Sequence, residues 1–68
     1  MTELEAFDEG TGTYVRIFID VTNYEPEEHD DHHCIITHKF DTERSFLVRR
    51  DYNSLKHLAM GFTMNGLN

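Results

Sequence analysis

A single cysteine, few cations and no long apolar run set the first limits on this chain of 68 residues. Cys34 has no partner for an internal disulfide, and small secreted domains usually carry an even set of bridged cysteines, so a reducing compartment is expected. No apolar run exceeds Ile17–Ile19, far short of the ~20 residues needed to cross a bilayer. The chain opens on no basic-then-apolar leader. A cytoplasmic address away from the membrane is the expectation. Lys and Arg number six against thirteen Asp and Glu, a net charge of −7. That balance disfavours direct binding to nucleic acid, which draws its affinity from cations. Nucleic acid would enter only through a protein that binds it. Finally, no catalytic signature stands anywhere in the sequence, and the chain is read as not being an enzyme.

Charge is not mixed along the chain. Residues 1–31 hold ten Asp and Glu against one Arg, a balance of −9, while the rest holds three against five Lys and Arg, a balance of +2. The densest stretch is Glu25-Pro26-Glu27-Glu28-His29-Asp30-Asp31-His32-His33-Cys34. Here negative charge runs into a histidine cluster.

At this length the chain is one domain that buries roughly 60% of its unfolded surface. Apolar burial and chain entropy nearly cancel in so small a fold. A metal, a second copy or a partner is therefore a candidate source of further stability.

Residues 1–12 are acidic and end in Gly10-Thr11-Gly12, which reads as a flexible lead-in closed by a turn. The single α+β domain is expected over 13–68. From Thr13 to Asn23, Val15, Ile17, Ile19 and Val21 alternate with Tyr14, Arg16, Phe18, Asp20 and Thr22, the period of a half-buried strand. Residues 24–33 read as a solvated acidic and histidine-rich loop. A second strand is expected over His33–Phe40 and a third over Arg44–Arg50, joined by Asp41-Thr42-Glu43. That three-residue loop pairs Phe40 with Arg44, His38 with Phe46 and Ile36 with Val48. A slip of one residue would invert every side chain. Asp51 or Asn53 can cap a helix whose Leu55, Leu58, Ala59 and Phe62 fall on one face, with Gly66 to close it. The expected fold is α+β, three antiparallel strands with one C-terminal helix on one face (βββα).

His29, His32, His33, Cys34 and His38 supply five nitrogen or sulfur donors within ten residues, and four such donors make a zinc site. All five come from one segment, however. Ligands strung along a strand at ~6.6 Å intervals reach one ion only if the loop folds back. The same histidines would lower the negative charge as pH falls below about 6.5, so a pH-responsive domain is the companion reading. Cys34 and His38 share a strand face, but ~13 Å of strand separates them, too far for a nucleophile and its base. Paired carboxylates among Glu27, Glu28, Asp30 and Asp31 would need an enclosed site for acid catalysis, and so polar a loop offers little enclosure.

The acidic surface remains. From Glu25 to Asp31 five carboxylates occupy seven residues, one per ~4.6 Å if extended, against one phosphate per ~3.4 Å along a DNA strand. Such an array suits the basic groove of a nucleic-acid-processing protein. Glu25, Glu27, Glu28, Asp30 and Asp31 would carry the contact, supported by Asp8, Glu9 and Asp20. Tyr14, Phe18 and Ile35 fall on the strand faces opposite the helix and form a candidate contact patch, unless Leu4 and Phe7 fold over them. Arg44, Arg49, Arg50 and Lys56 form the opposite pole and are expected to balance Asp41, Glu43 and Asp51 locally. The chain resembles, in kind only, the small acidic inhibitor proteins of phages and mobile elements. An inhibitor or modulator that mimics a phosphate backbone is the leading expectation. A zinc-binding or pH-responsive domain and a homodimer paired through a sheet face or strand edge are the alternatives.

Overall fold

The computed structural model describes residues 1–60. Along them run β1 (Thr2–Asp8), β2 (Thr13–Ile19), a 3₁₀ turn (Val21–Asn23), β3 (Tyr24–Asp30), β4 (His33–His38), β5 (Asp41–Val48) and α1 (Tyr52–Ala59). The strands form one antiparallel sheet in the order β2-β1-β5-β4-β3. The α+β character stands, and the expected three-stranded sheet is corrected to five. Both added strands come from segments read as irregular, the acidic lead-in 1–12 and the loop 24–33.

In β1 the buried residues are Leu4 and Ala6, while Glu3, Glu5 and Phe7 on the alternate face lie exposed. Two apolar side chains announce a strand weakly. They pack because β2 lies alongside, with Leu4 opposite Ile17 and Ala6 opposite Val15. The Asp8 carboxylate makes the connecting turn by accepting from the Gly10 N–H at 3.0 Å and the Thr11 hydroxyl at 3.2 Å. Gly12 closes it at φ 70, a conformation that side chains disfavour. In β3 the proline that argued for a loop sits on an edge strand, where one side of the backbone is asked for no ladder bond. Tyr24 is the only buried residue of that strand.

The expected β4–β5 loop is also corrected. The turn is Lys39-Phe40, His38 pairs with Asp41, and the register jumps to Thr37 opposite Ser45, leaving Thr42, Glu43 and Arg44 as a bulge. His38 makes this turn, its Nδ1 accepting the Phe40 N–H at 3.1 Å, while the Lys39 N–H donates to the Asn23 carbonyl at 2.9 Å. Ile36 pairs with Phe46 and Cys34 with Val48, a shift of two residues from the expected register, so each keeps its face. Phe40, expected on the apolar face, is 86% exposed at the turn.

β2 ends at Ile19 rather than Asn23, because Asp20 caps the 3₁₀ turn by accepting the Thr22 N–H and hydroxyl. That short connection shapes the whole molecule. In a flat sheet with this register, Ile19 and Tyr24 would lie roughly 25 Å apart along the strands and about 19 Å across them. The five steps from Ile19 to Tyr24 reach no more than about 18 Å. The sheet must therefore coil until its two edges approach.

The β1–β5 junction is the narrowest in the sheet, pairing Ala6 with Val48. Arg49 reinforces it three ways. Its N–H donates to the Glu5 carbonyl at 2.9 Å, its guanidinium lies 3.9 Å from the Glu5 carboxylate, and the same group sits 4.0 Å from the Tyr14 ring centre.

Inside the coil, Leu4, Ala6, Val21, Tyr24, Cys34, Ile36, Val48 and Leu55 form the core, flanked by Ile17, Ile19, Phe46, Tyr52 and Leu58. Helix α1 packs on β3 and the 3₁₀ turn, covering the opening between the sheet's edges. Asp51 caps it by accepting the Ser54 N–H at 3.0 Å. Leu55, fully buried, is its plug. Phe62 and Gly66, expected in and after this helix, lie outside the described residues. Leu55→Ala is expected to lower unfolding free energy by about 2 to 5 kcal/mol, read from the urea midpoint. An unchanged midpoint would contradict the helix's role as a plug.

Candidate functional site

β3 is where the acidic run lies, at one edge of the sheet. Strand alternation divides its carboxylates. Glu25 and Glu27 stand beside Thr37 and Ile35 on the outer face, while Glu28 stands beside Cys34 on the helix-side face. A bulge at His29 then leads to Asp30 opposite His33. Glu25, Glu27, Glu28 and Asp31 are exposed. The result is a thin acidic ridge with charge on both flanks, not a flat negative face.

Three of the acids expected at the contact, Asp30 among its carriers and Asp8 and Asp20 in support, make local hydrogen bonds. Asp30 accepts the His32 N–H and the His33 Nδ1, each at 2.8 Å, and so builds the β3–β4 turn. Those two hydrogen bonds hold its carboxyl below the ordinary aspartate value, the backbone bond contributing most. Asp20 is likewise held low by the Thr22 hydroxyl and then by the Thr22 N–H. Asp8 is spent on the β1–β2 turn, and Glu9 lies exposed beside it.

Tyr14 and Phe18 stand on β2, at the opposite end of the strand order from the acidic β3. Tyr14 is occupied, edge-on to Phe7 at 5.4 Å, beneath Arg49, and 6.0 Å from His33. Phe18 is free and 64% exposed. Ile35 is half-buried.

The basic pole is spent differently from the expectation. Arg49 pairs with Glu5 and Arg16 with Glu3 at 3.4 Å, Arg50 donates to the Ser54 hydroxyl and Arg44 to the Tyr24 hydroxyl. Of the N-terminal acids, Glu3 and Glu5 thus face arginines within the sheet. Arg49 follows Val48, the partner of Cys34, so it stands beside His33. Arg16, Glu5, Arg49, His33 and Asp30 form one row of charged and polar side chains across the outer face. Sequence reading missed this row because Glu5 and Arg49 are distant along the chain. Only the β1–β5 pairing brings them together.

The histidine and cysteine cluster is dispersed. Cys34 is fully buried among core residues, and its thiol is pushed up chiefly by burial, which suits a packing residue more than a ligand or nucleophile. His33, next in sequence, lies on the opposite face. His38 packs edge-on to Tyr24 at 5.1 Å and to Phe40 at 6.1 Å. His29 and His32 are exposed. Among the described residues no group of three or more His, Cys, Asp or Glu converges as metal ligands, because strand alternation sends successive donors to opposite faces. The donor set does not fit zinc.

No family model, curated protein or solved structure matches this chain. Among the described residues no helix is long and apolar enough to cross a membrane.

The carboxyls of Asp20 and Asp30 titrate lower in the folded chain than in the unfolded one, where aspartate loses its proton near about 3.9. In that acid range the unfolded chain binds more protons, so stability rises with pH there. Thermal midpoints should hold level above about pH 5 and fall as pH drops through about 4. A variant carrying Asp20→Asn and Asp30→Asn should fall less steeply, and equal slopes would contradict these assignments.

Proposed function

We propose that the chain is a non-enzymatic protein-binding module, an inhibitor or modulator that seats its acidic edge in the basic groove of a nucleic-acid-processing protein. The observation that carries this reading is the exposed set of Glu25, Glu27 and Glu28 on an edge strand and Asp31 in the turn that follows it, without a side-chain hydrogen bond or ion pair among the described residues. A ridge with carboxylates on both flanks suits a groove with two basic walls, each flank taking the place of phosphates along one wall. On the outer flank the spacing of Glu25 and Glu27 is ~6.6 Å, and Glu28 fills the interval from the other side. Glu27 and Glu28 diverge to opposite faces, which supports charge recognition over paired acid catalysis. The buried, unbridged Cys34 suits a reducing location such as the cytoplasm.

Charge of this kind acts most on the rate of encounter, and salt screens it. Affinity for a basic-grooved nucleic-acid enzyme should fall by about tenfold or more as salt is raised from roughly 0.05 to 0.3 M. Combining Glu25→Gln, Glu27→Gln, Glu28→Gln and Asp31→Asn should remove a comparable part of the affinity and most of its salt dependence, measured by titration calorimetry. Binding indifferent to salt or to these substitutions overturns the reading.

A further inference from the structure

Among the described residues the sheet order leaves two free edges, β2 and β3, and their chemistry is opposite. β3 resists an added strand. Pro26 removes a backbone donor, and Glu25, Glu27 and Glu28 would set like charges against a second acidic strand. β2 has no such protection. Thr13-Tyr14-Val15-Arg16-Ile17-Phe18-Ile19 holds neither proline nor glycine and one charge, which Glu3 already pairs at 3.4 Å. Phe18 is 64% exposed and Val15 40%. Folded proteins usually blunt such an edge with charges, proline or a bulge.

We infer that β2 pairs antiparallel with β2 of a second copy, joining two sheets edge to edge about a two-fold axis. Opposed residues in an antiparallel pair share a face, so an axis normal to the sheet passes beside a single residue. An axis beside Arg16 would use the whole strand but set Arg16 against the partner's Arg16. An axis beside Val15 or Ile17 gives five opposed residues free of that clash, but at Val15 Arg16 would meet the partner's Tyr14, a ring already occupied by Phe7 and Arg49, so Ile17 is the axis. Ile17 then meets the partner's Ile17, Val15 meets the partner's Ile19, and Arg16 meets the partner's Phe18. On the inner face every opposed pair is apolar. On the outer face each guanidinium lies against an otherwise exposed ring, an attractive arrangement made twice by symmetry. Both acidic β3 edges remain free in such a dimer, so the inference stands apart from the proposed function.

Sedimentation of the full chain from micromolar to millimolar concentration tests it. The expected species has twice the 8.0 kDa chain mass. Phe18→Lys sets an ammonium against the partner's Arg16 at an exposed position and should weaken the dimer by about tenfold or more, with circular dichroism reporting the retained fold. Phe18→Glu meets the same Arg16 with a carboxylate and should keep the dimer. Glu27→Lys, on the other edge, should leave it unchanged. A monomer throughout, a dimer indifferent to Phe18→Lys, equal loss in both Phe18 variants, or loss in Glu27→Lys overturns the inference.

Discussion

The four residues between Ile19 and Tyr24 constrain this molecule more than any contact in its core. They join the last residue of one edge strand to the first of the other, and a flat five-stranded sheet does not let them reach. Coiling follows, and the remaining features follow from coiling. A curved sheet encloses a core with few apolar residues, because β1 needs to contribute only Leu4 and Ala6 and β3 only Tyr24. One short helix suffices to cover the opening, since the edges it bridges already lie close. The pairing of Ala6 with Val48 is the seam, and Arg49 binds the two halves there through its backbone, its charge and its guanidinium over the Tyr14 ring.

The strands with strong alternation were legible in the sequence. β2 carries β-branched residues at every second position, in β4 and β5 Cys34, Ile36, Phe46 and Val48 alternate with other side chains, and Asp51 marks the helix start. β1 and β3 were not legible, for different reasons. β1 has two inward apolar residues and borrows its stability from β2 and β5, so its local pattern looks like a solvated tail. β3 is an edge strand whose outward side chains need only tolerate water, and its acids and Pro26 satisfy that while imitating a loop. The turn at Lys39-Phe40 was hidden because His38, rather than a conventional turn residue, closes it with its ring nitrogen. The register still kept each apolar side chain on its face, since burial tolerates a shift of two and forbids a shift of one.

The candidate site was half legible. Composition located the acidic segment correctly but treated all its carboxylates as one surface. Strand pleating splits them between two flanks, and turn formation withdraws Asp8, Asp20 and Asp30 for local hydrogen bonds. The lopsided charge of the sequence is also less lopsided in space, because Glu3 and Glu5 find Arg16 and Arg49 in the sheet. On the β3 edge Glu25, Glu27 and Glu28 stay without an ion pair among the described residues. Sorted this way, the two edges divide the surface chemistry: one edge rejects strands and offers negative charge, while the other offers an apolar ladder.

All of this depends on the N-terminal segment being a strand that closes the coil. Nuclear Overhauser contacts in the free chain report it most directly. The account predicts cross-strand contacts between Ala6 and Val48 and slow hydrogen exchange at the Arg49 amide. An Ala6 that shows contacts only to its neighbours in sequence, with a freely exchanging Arg49 amide, would contradict it.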